Sequence, residues 1–273
     1  MPVNVRNAEM VGMLRGDFQA RYEPQFAWKS AVSQHQALPG LRGFWPTSSF
    51  DTNGDLIDLS GQGNDLTYNG NPIYYSAQLF SNVVLDGTGD YFSHVGGIGS
   101  WCDITGTETY VHPNRRGVTI GGWFRFTNVA GANEYMIAKW DPAGNGRSYQ
   151  LYRSIAGQII FGVSSNGQAA TVQNIGSISN PAQNEWFWAA GRYDDATSYS
   201  TVWYNDESND LDLTIAGWAG SLHSNATDFL IGGYHGGSGL MTGHFAHCFT
   251  CATGVPDAIQ NQTYQQTRAM FGV

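Results

Sequence analysis

The sequence has few charged residues: they make up 13% of its 273 residues, against roughly 25% in an ordinary globular protein. Only two of them are lysines, Lys29 and Lys139, and the formal net charge is −9 at pH 7. Nucleic acids are bound by clusters of lysine and arginine, so this composition argues against a nucleic-acid partner. We attribute the excess of acidic residues to solubility.

Long hydrophobic runs and an even set of cysteines are also lacking. No apolar run approaches the ~18 residues that a transmembrane helix needs, so we expect no membrane insertion. The three cysteines are an odd number and predict no disulfide framework. The N-terminus lacks the charged and then apolar pattern of a secretory signal. We therefore expect the protein to work in the cell that makes it, or to leave that cell as part of an assembly.

Glycine and aromatic residues are abundant instead, with 35 glycines and 14% aromatic residues. From Leu41 onward, short runs of strand-forming residues alternate with glycine, asparagine, aspartate and proline, which favour turns. In 118–126 every second residue from Val118 to Phe126 is apolar or glycine, which is typical of a strand with one face in a core. The pattern predicts an all-β fold, a two-sheet antiparallel sandwich, with a short helix within 256–271.

Residues 1–38 have a different pattern. The residues spaced as on one face of a helix are Val11, Leu14, Phe18 and Tyr22. Pro24 is expected to end this helix, which is too short to be stable alone in water. Its apolar face therefore needs a partner, which is the chain's own sandwich, a neighbouring subunit or a scaffold. We predict a helical N-terminal arm (1–38) followed by the sandwich domain (39–273).

Several motifs occur in an order that matches a known group of folds. They are LRGFWP (41–46), DLSGQGND (58–65), VVLDGTGDY (83–91), VTIGGWF (118–124) and NEWFWAAGRYD (184–194). In this order they resemble the laminin-G-like, concanavalin A-like lectin/glucanase superfamily, which implies a jelly-roll sandwich. Because this sandwich serves enzymes, lectins and structural proteins alike, the resemblance does not by itself define a function.

The chain also resembles laminin-G-like proteins that tailed bacteriophages encode near their capsid and tail genes. The similarity lies in a helical arm that ends in LPGLRGFWP (38–46) and in the C-terminal RAMFGV (268–273). It implies a virion protein made in the host cytoplasm, either a capsid decoration or a tail-associated component anchored through its arm. Its partners would be other virion proteins or identical subunits.

The carboxylates that a glucanase needs are not present in the expected pattern. Glycosidases of this fold carry Glu-x-Asp-x-x-Glu on one strand, which places the acid and the nucleophile on the same face. The six glutamates here are never closer than fourteen residues, and Asp210 and Asp212 fit a solvated strand edge or a loop. We therefore expect a non-enzymatic structural or adhesion protein. The alternative is a lectin-like carbohydrate-binding module, which could bind its glycan with or without the help of calcium.

The sequence contains candidate ligand-binding residues for glycans, for calcium and for zinc. Indole rings that could stack on surface glycans are those of Trp101, Trp140, Trp203 and Trp218. Oxygen ligands for a structural calcium are Asp58, Asn64, Asp86 and Asp90, although the same residues also suit turns that hold no metal. The stretch 244–251 contains histidine and cysteine, but Cys248 and Cys251 lie three apart on a predicted strand, and so should face opposite sides rather than share a zinc ion.

Overall fold

A computed structural model describes residue 29 and residues 31–76, 81–105, 117–128, 131–214, 218 and 220–273. The arm residues Val11, Leu14, Phe18 and Tyr22 lie outside these described residues. The strands are β1 (Leu41–Trp45), β2 (Thr67–Asn69), β3 (Ile73–Ser76), β4 (Ser81–Asp86), β5 (Tyr91–His94), β6 (Gly117–Phe126), β7 (Glu134–Lys139), β8 (Tyr149–Arg153), β9 (Ile159–Ser164), β10 (Val172–Gly176), β11 (Phe187–Asp194), β12 (Tyr199–Tyr204), β13 (Glu207–Asp212), β14 (Phe229–Ile231) and β15 (Thr242–Cys251). A C-terminal helix, α1, spans Asp257–Phe271.

The strands form two antiparallel sheets. The first, sheet A, has the order β13-β12-β11-β6-β15-β4-β3, with β1 pairing beside the last residues of β15. The second, sheet B, has the order β10-β9-β8-β7-β14-β5-β2. The predicted two-sheet antiparallel sandwich is therefore confirmed. Among the described residues, no helix is both long and apolar enough to cross a membrane.

The core lies between the two sheets and follows the alternation of the strands. In β6, Val118, Ile120 and Phe124 belong to this core, whereas Trp123 belongs to a second cluster on the outer face of sheet A. The sheets approach closely at Gly191, where an added Cβ would lie 2.0 Å from the ring of Phe161. The alternation predicted for this strand is confirmed.

The outer face of sheet A is covered by helix α1. Trp123 stacks on Phe271 with ring centroids 4.2 Å apart, and its indole N–H donates to Thr267 Oγ1 at 3.0 Å. Pro256 precedes the helix, and Gly272, with φ of 75°, ends it in the left-handed conformation that glycine adopts without strain. The helix predicted within 256–271 is thus present, and it completes the second cluster.

The helical residues 31–36 also cover this outer face. Ala31, Val32 and Leu38 are buried in the cluster that contains Trp188 and Phe249. The last residues of the predicted arm therefore pack on the sandwich itself. The division of the chain at residue 38 stays a prediction, because most of the arm lies outside the described residues.

The sequence pattern does not indicate β3, and it leaves Asp210 and Asp212 of β13 as either a strand edge or a loop. β3 is an edge strand that follows Pro72 and has exposed side chains on both faces, so it lacks the alternation that marks a half-buried strand. β13 is the opposite edge of sheet A and carries Glu207, Asp210 and Asp212. Edge strands with charged residues resist pairing with other chains, and their polar composition resembles that of a loop.

Candidate functional site

A cleft of about 510 Å³ opens at one end of the sandwich. It lies between the loop after β5 and the loop before β14, beside the start of β1 and the end of β15. The lining residues combine an indole, aliphatic groups, hydroxyls and two charged groups: Arg42, Ile98, Ser100, Trp101, Asp103, Ile104, Thr105 and Ser224, with the glycine and alanine at 99 and 252. Such a mixture suits a ligand that has both apolar faces and hydroxyl groups.

Asp103 fixes the two loops of the cleft to each other. Its Oδ2 accepts hydrogen bonds from the backbone N–H of Gly99 at 2.8 Å and from Ser224 Oγ at 2.7 Å, and its Oδ1 accepts from the backbone N–H of Asn225 at 2.9 Å. Asp103 is only 7% exposed. Because a buried carboxylate is costly unless it is hydrogen-bonded, these donors make the loop arrangement well defined.

Lys139 supports the loop before β14, which forms one side of the cleft. Its ammonium group is fully buried and donates to the backbone carbonyl and to the side-chain oxygen of Asn225, at 2.8 and 2.9 Å, and to the carbonyl of Thr227 at 2.7 Å. Burial lowers the pKa of Lys139, while Cys102, Asp103 and Asp228 oppose that shift. The three acceptors match the three N–H groups of a lysine ammonium, so the cation is satisfied.

Trp101 forms one wall of the cleft and is the only one of the four predicted tryptophans that lines it. Its ring packs against Trp45, His94 and Phe229 at centroid distances of 5.6, 5.2 and 5.1 Å. These contacts hold the indole in a fixed orientation. A ring held in place loses little conformational entropy when a ligand binds, which favours recognition.

The other three predicted tryptophans are in different surroundings. Trp140 and Trp203 are each only 4% exposed, and the guanidinium of Arg192 lies 4.9 Å from the ring centre of Trp203. Trp218 is half-buried against the core, and its indole N–H donates to Tyr193 Oη at 3.1 Å. As the structure stands, Trp140 and Trp203 have no ring face open to a glycan.

Asp58 and Asn64 are close together, but they organise the loop between β1 and β2. Asp58 Oδ1 accepts from the backbone N–H groups of Phe44 and Ser60 at 2.9 and 2.8 Å, and Oδ2 accepts from Ser60 Oγ and from the backbone N–H of Asn64 at 2.7 and 3.0 Å. The amide of Asn64 donates to the carbonyl of Arg42 at 2.6 Å. Four donors already surround the carboxylate, which leaves it unsuited to a calcium ion.

Asp86 and Asp90 lie at the two ends of the loop that connects β4 of sheet A to β5 of sheet B. Asp86 Oδ1 accepts from the N–H of Thr88 at 2.6 Å, and Asp90 accepts from the N–H groups of Asn71 and Asp86 at 2.6 and 3.3 Å. Within the described ranges, no three histidine, cysteine, aspartate or glutamate residues are grouped to hold a metal. The four side chains are held by loop donors rather than grouped around an ion, and a calcium site elsewhere in the fold stays a prediction.

The two cysteines of β15 lie on opposite faces of sheet A, as the strand pattern predicts. Cys248 lies in the core between the sheets, whereas Cys251 lies in the cluster on the outer face of sheet A. Both are fully buried, and burial raises the pKa of each thiol. His247 is buried beside His35, with their ring centroids 5.5 Å apart. This placement separates the two thiols that a zinc site would need together.

Sequence reasoning nominated Trp101 but missed the residues that build the cleft around it. Asp103, Lys139 and Ser224 come from three separate parts of the chain and meet only in the folded protein. One signal was available: Lys139 is one of only two lysines and lies within a strand, where a charged residue needs a special partner.

Comparison with known proteins shows a likeness of fold. No family model and no curated protein sequence matches the chain. Among solved structures, the binding domain of Paraclostridial Mosquitocidal Protein 1 has a TM-score of 0.61 and 10% identity, over 82% of this chain. The ligand binding domain of botulinum neurotoxin serotype D in complex with N-acetylneuraminic acid has a TM-score of 0.60 and 10% identity, over 86% of this chain.

The likeness concerns only part of those proteins. The chain spans about half of their length, 52% of the solved chain in both cases. The shared part is a two-sheet β-sandwich. At this level of identity the likeness establishes the fold alone.

Proposed function

We propose that the protein is a non-enzymatic adhesion module that binds carbohydrate in the cleft beside Trp101. The observation that carries this proposal is the composition of the cleft: a fixed indole, the exposed side chain of Ile98 and the hydroxyls of Ser100, Thr105 and Ser224 around about 510 Å³. A sugar ring has an apolar C–H face and a rim of hydroxyls, so it complements such a wall.

The fold neighbours support this choice. The mosquitocidal and neurotoxin proteins are described as binding domains, and the serotype D domain was solved with N-acetylneuraminic acid. This chain matches only about half of that solved domain, and the presence of the shared fold in a domain that binds a sugar makes glycans the first ligands to test. The glycans of a cell surface are the natural targets of an adhesion protein.

The test is a glycan array followed by calorimetry with the best-bound oligosaccharide, including glycans that end in N-acetylneuraminic acid. Replacing Ile98, which is 77% exposed and lines the cleft, with Asp should weaken binding at least about tenfold, because it puts a charge against the apolar face of the sugar. The stability of this variant should not change, since the side chain is largely exposed.

Ile178→Asp is the matched control, because Ile178 is 67% exposed and does not line the cleft. It should bind as the wild type does. Trp101→Ala should also abolish binding. Because Trp101 also packs against core residues, that loss of binding could equally come from a loss of stability. Binding that survives Ile98→Asp, or the absence of any bound glycan on a broad array, contradicts the proposal.

A second proposed role is that of a virion component, a capsid decoration or tail-associated protein anchored through residues 1–38. Its support is the sequence resemblance to phage proteins and the docking of residues 31–38 on the outer face of sheet A. Because that docking fixes the point from which the preceding residues depart, an anchor there would hold the sandwich in a defined orientation. The two roles are compatible, since a surface component of a phage can bind host glycans.

The anchoring role predicts that residues before Lys29 are needed for assembly and not for folding. Mass in solution by light scattering should show higher oligomers for the full chain than for a chain that begins at Lys29, with equal melting temperatures. A chain that begins at Pro39 is a poor comparison, because it lacks the buried residues Ala31, Val32 and His35. A truncated chain that assembles like the full one, or that melts much earlier, contradicts an anchoring arm.

A further inference from the structure

Among the described residues, Arg42 is the one cation that lines the cleft beside Trp101. The other charged residue of the lining is Asp103, and the remaining lining residues are uncharged. The chain as a whole has a net charge of −9, so its average field repels anions. An arginine in the wall of the cleft therefore bears on which ligands the cleft accepts.

A β-bulge in β1 places Arg42 at the cleft. In the pairing of β1 with β15, Leu41 lies opposite Cys251. The next paired residue, Gly43, lies opposite Thr250, so Arg42 is the extra residue of the bulge. Leu41 packs against the cluster on the outer face of sheet A, whereas Arg42 lines the cleft. Bulges redirect side chains in this way and are common next to active sites.

The loop between β1 and β2 holds the bulge in place. The carbonyl of Arg42 accepts hydrogen bonds from the side-chain amide of Asn64 at 2.6 Å and from Ser60 Oγ at 3.3 Å. Asp58 in turn accepts from the backbone N–H of Asn64 and from the hydroxyl of Ser60. A backbone that is fixed before the ligand arrives lowers the entropy cost of binding, so this loop prepares Arg42 for a ligand.

The carboxylates around the cleft are surrounded by donors. Asp103 accepts three hydrogen bonds from the two loops, and the positive charge of Lys139 acts on it. Asp58 is buried among four donors and does not line the cleft. Asp228, which also acts on Lys139, accepts from a loop N–H and lies outside the lining. These donors offset the negative charges, while Arg42 presents a guanidinium to the cleft.

We propose that the cleft binds a glycan that ends in an acidic sugar, with the sugar carboxylate bound by the guanidinium of Arg42; this inference rests on the proposed function. The guanidinium is a planar fork of five N–H donors. Two of them match a carboxylate, and the others can keep partners within the protein. The indole of Trp101 and the hydroxyls of Ser100 and Ser224 lie along the same cleft, where they suit the C–H face and the hydroxyls of the sugar ring.

Calorimetry with 3′-sialyllactose and its methyl ester tests the proposal, because the ester keeps the sugar rings and removes the charge. The wild type should bind the acid at least about tenfold more tightly than the ester. A trisaccharide that ends in glucuronic acid and its methyl ester form a second pair. A preference for the acid in either pair supports the proposal, and the pair that shows it tells whether the carboxylate belongs to a sialic acid or a uronic acid.

Two substitutions of Arg42 assign the preference to this side chain. Arg42→Gln, which removes the charge, should abolish the preference for the acid over the ester. Arg42→Lys, which keeps the charge without the fork, should retain part of it. Arg268→Gln is the matched control, since Arg268 is exposed on α1 and does not line the cleft. It should keep the ratio of the wild type.

The outcomes separate this inference from the proposed function. A wild type that binds acid and ester equally in both pairs overturns the acidic-sugar proposal and leaves carbohydrate binding in place. A preference that survives Arg42→Gln, or one that Arg268→Gln weakens equally, also overturns it. If no sugar binds at all, the proposed function fails and this inference fails with it. Should Arg42→Gln not fold, the comparison of acid with ester in the wild type still decides.

Discussion

The protein should lose a large part of its stability between about pH 6.5 and pH 4, because folding buries two neutral histidines side by side. His35, in the helical residues 31–36, stacks on Phe44 at 4.7 Å and lies 5.5 Å from His247 of β15. Burial lowers the pKa of His35 to about 4, although its hydrogen bond to the carbonyl of Ala31 opposes this. Burial and the neighbouring His35 lower the pKa of His247 to about 3.

The direction of the effect follows from proton binding. Below about pH 6.5 the unfolded chain protonates both histidines, while the folded protein keeps them neutral down to pH 3–4, so the unfolded state binds more protons and gains stability as the pH falls. From 6.5 to 4.5, each histidine should cost about 2–3 kcal/mol at 1.36 kcal/mol per pKa unit. That is a large share of the roughly 5–15 kcal/mol that stabilises a typical domain.

Urea unfolding at pH 7.5 and pH 4.5 measures this effect. In His35→Leu, which retains an apolar group but cannot titrate, the loss of stability between the two pH values should be smaller by about 2–3 kcal/mol. His235→Gln is the control, because the side chain of His235 is 43% exposed. A His35→Leu variant that loses as much stability on acidification as the wild type would show that the buried pair does not govern the acid response.

Replacing Lys139 with Met should destabilise the protein by about 3–5 kcal/mol and abolish ligand binding in the cleft. The substitution removes a buried cation that donates three hydrogen bonds, and it leaves the oxygens of Asn225 and Thr227 buried without donors. The loop that contains Ser224 would lose its support, and Asp103 links that loop to the one that contains Gly99.

Lys29→Met provides the matched control, since Lys29 is exposed and is the other lysine of the chain. Its free energy of unfolding should stay within about 0.5 kcal/mol of the wild type. Chemical denaturation and calorimetric glycan titration of both variants give the comparison. Equal stability and equal binding in Lys139→Met would show that the buried ammonium does not hold the cleft.

The sandwich could be predicted because its strands alternate and its turns are rich in glycine. The alternation in β6 placed Val118 and Trp123 on opposite faces, and the structure has them in two separate clusters. The edge strands β3 and β13 could not be found in the same way. A strand without a buried face has no alternation to detect, and its identity depends on a neighbour that pairs with it only in the folded protein.

The site was harder to predict than the fold. A tryptophan that stacks on a ligand and one that fills the core look alike in sequence, and of the four nominated rings only Trp101 lines the cleft. Asp58 and Asp90 were nominated as metal ligands because carboxylates in glycine-rich loops suit calcium. Their oxygens accept hydrogen bonds from loop N–H groups instead, a use of the same residues that spacing alone does not distinguish.

The central claim, that carbohydrate binds beside Trp101, is tested most directly by recording the indole N–H signals of the nine tryptophans in a ¹H–¹⁵N spectrum while the best-bound glycan is added. The signal of Trp101 should shift in a saturable way, whereas those of Trp140 and Trp203, which are buried away from the cleft, should not move. A saturable shift at other tryptophans with Trp101 unchanged would place the glycan elsewhere and contradict the account.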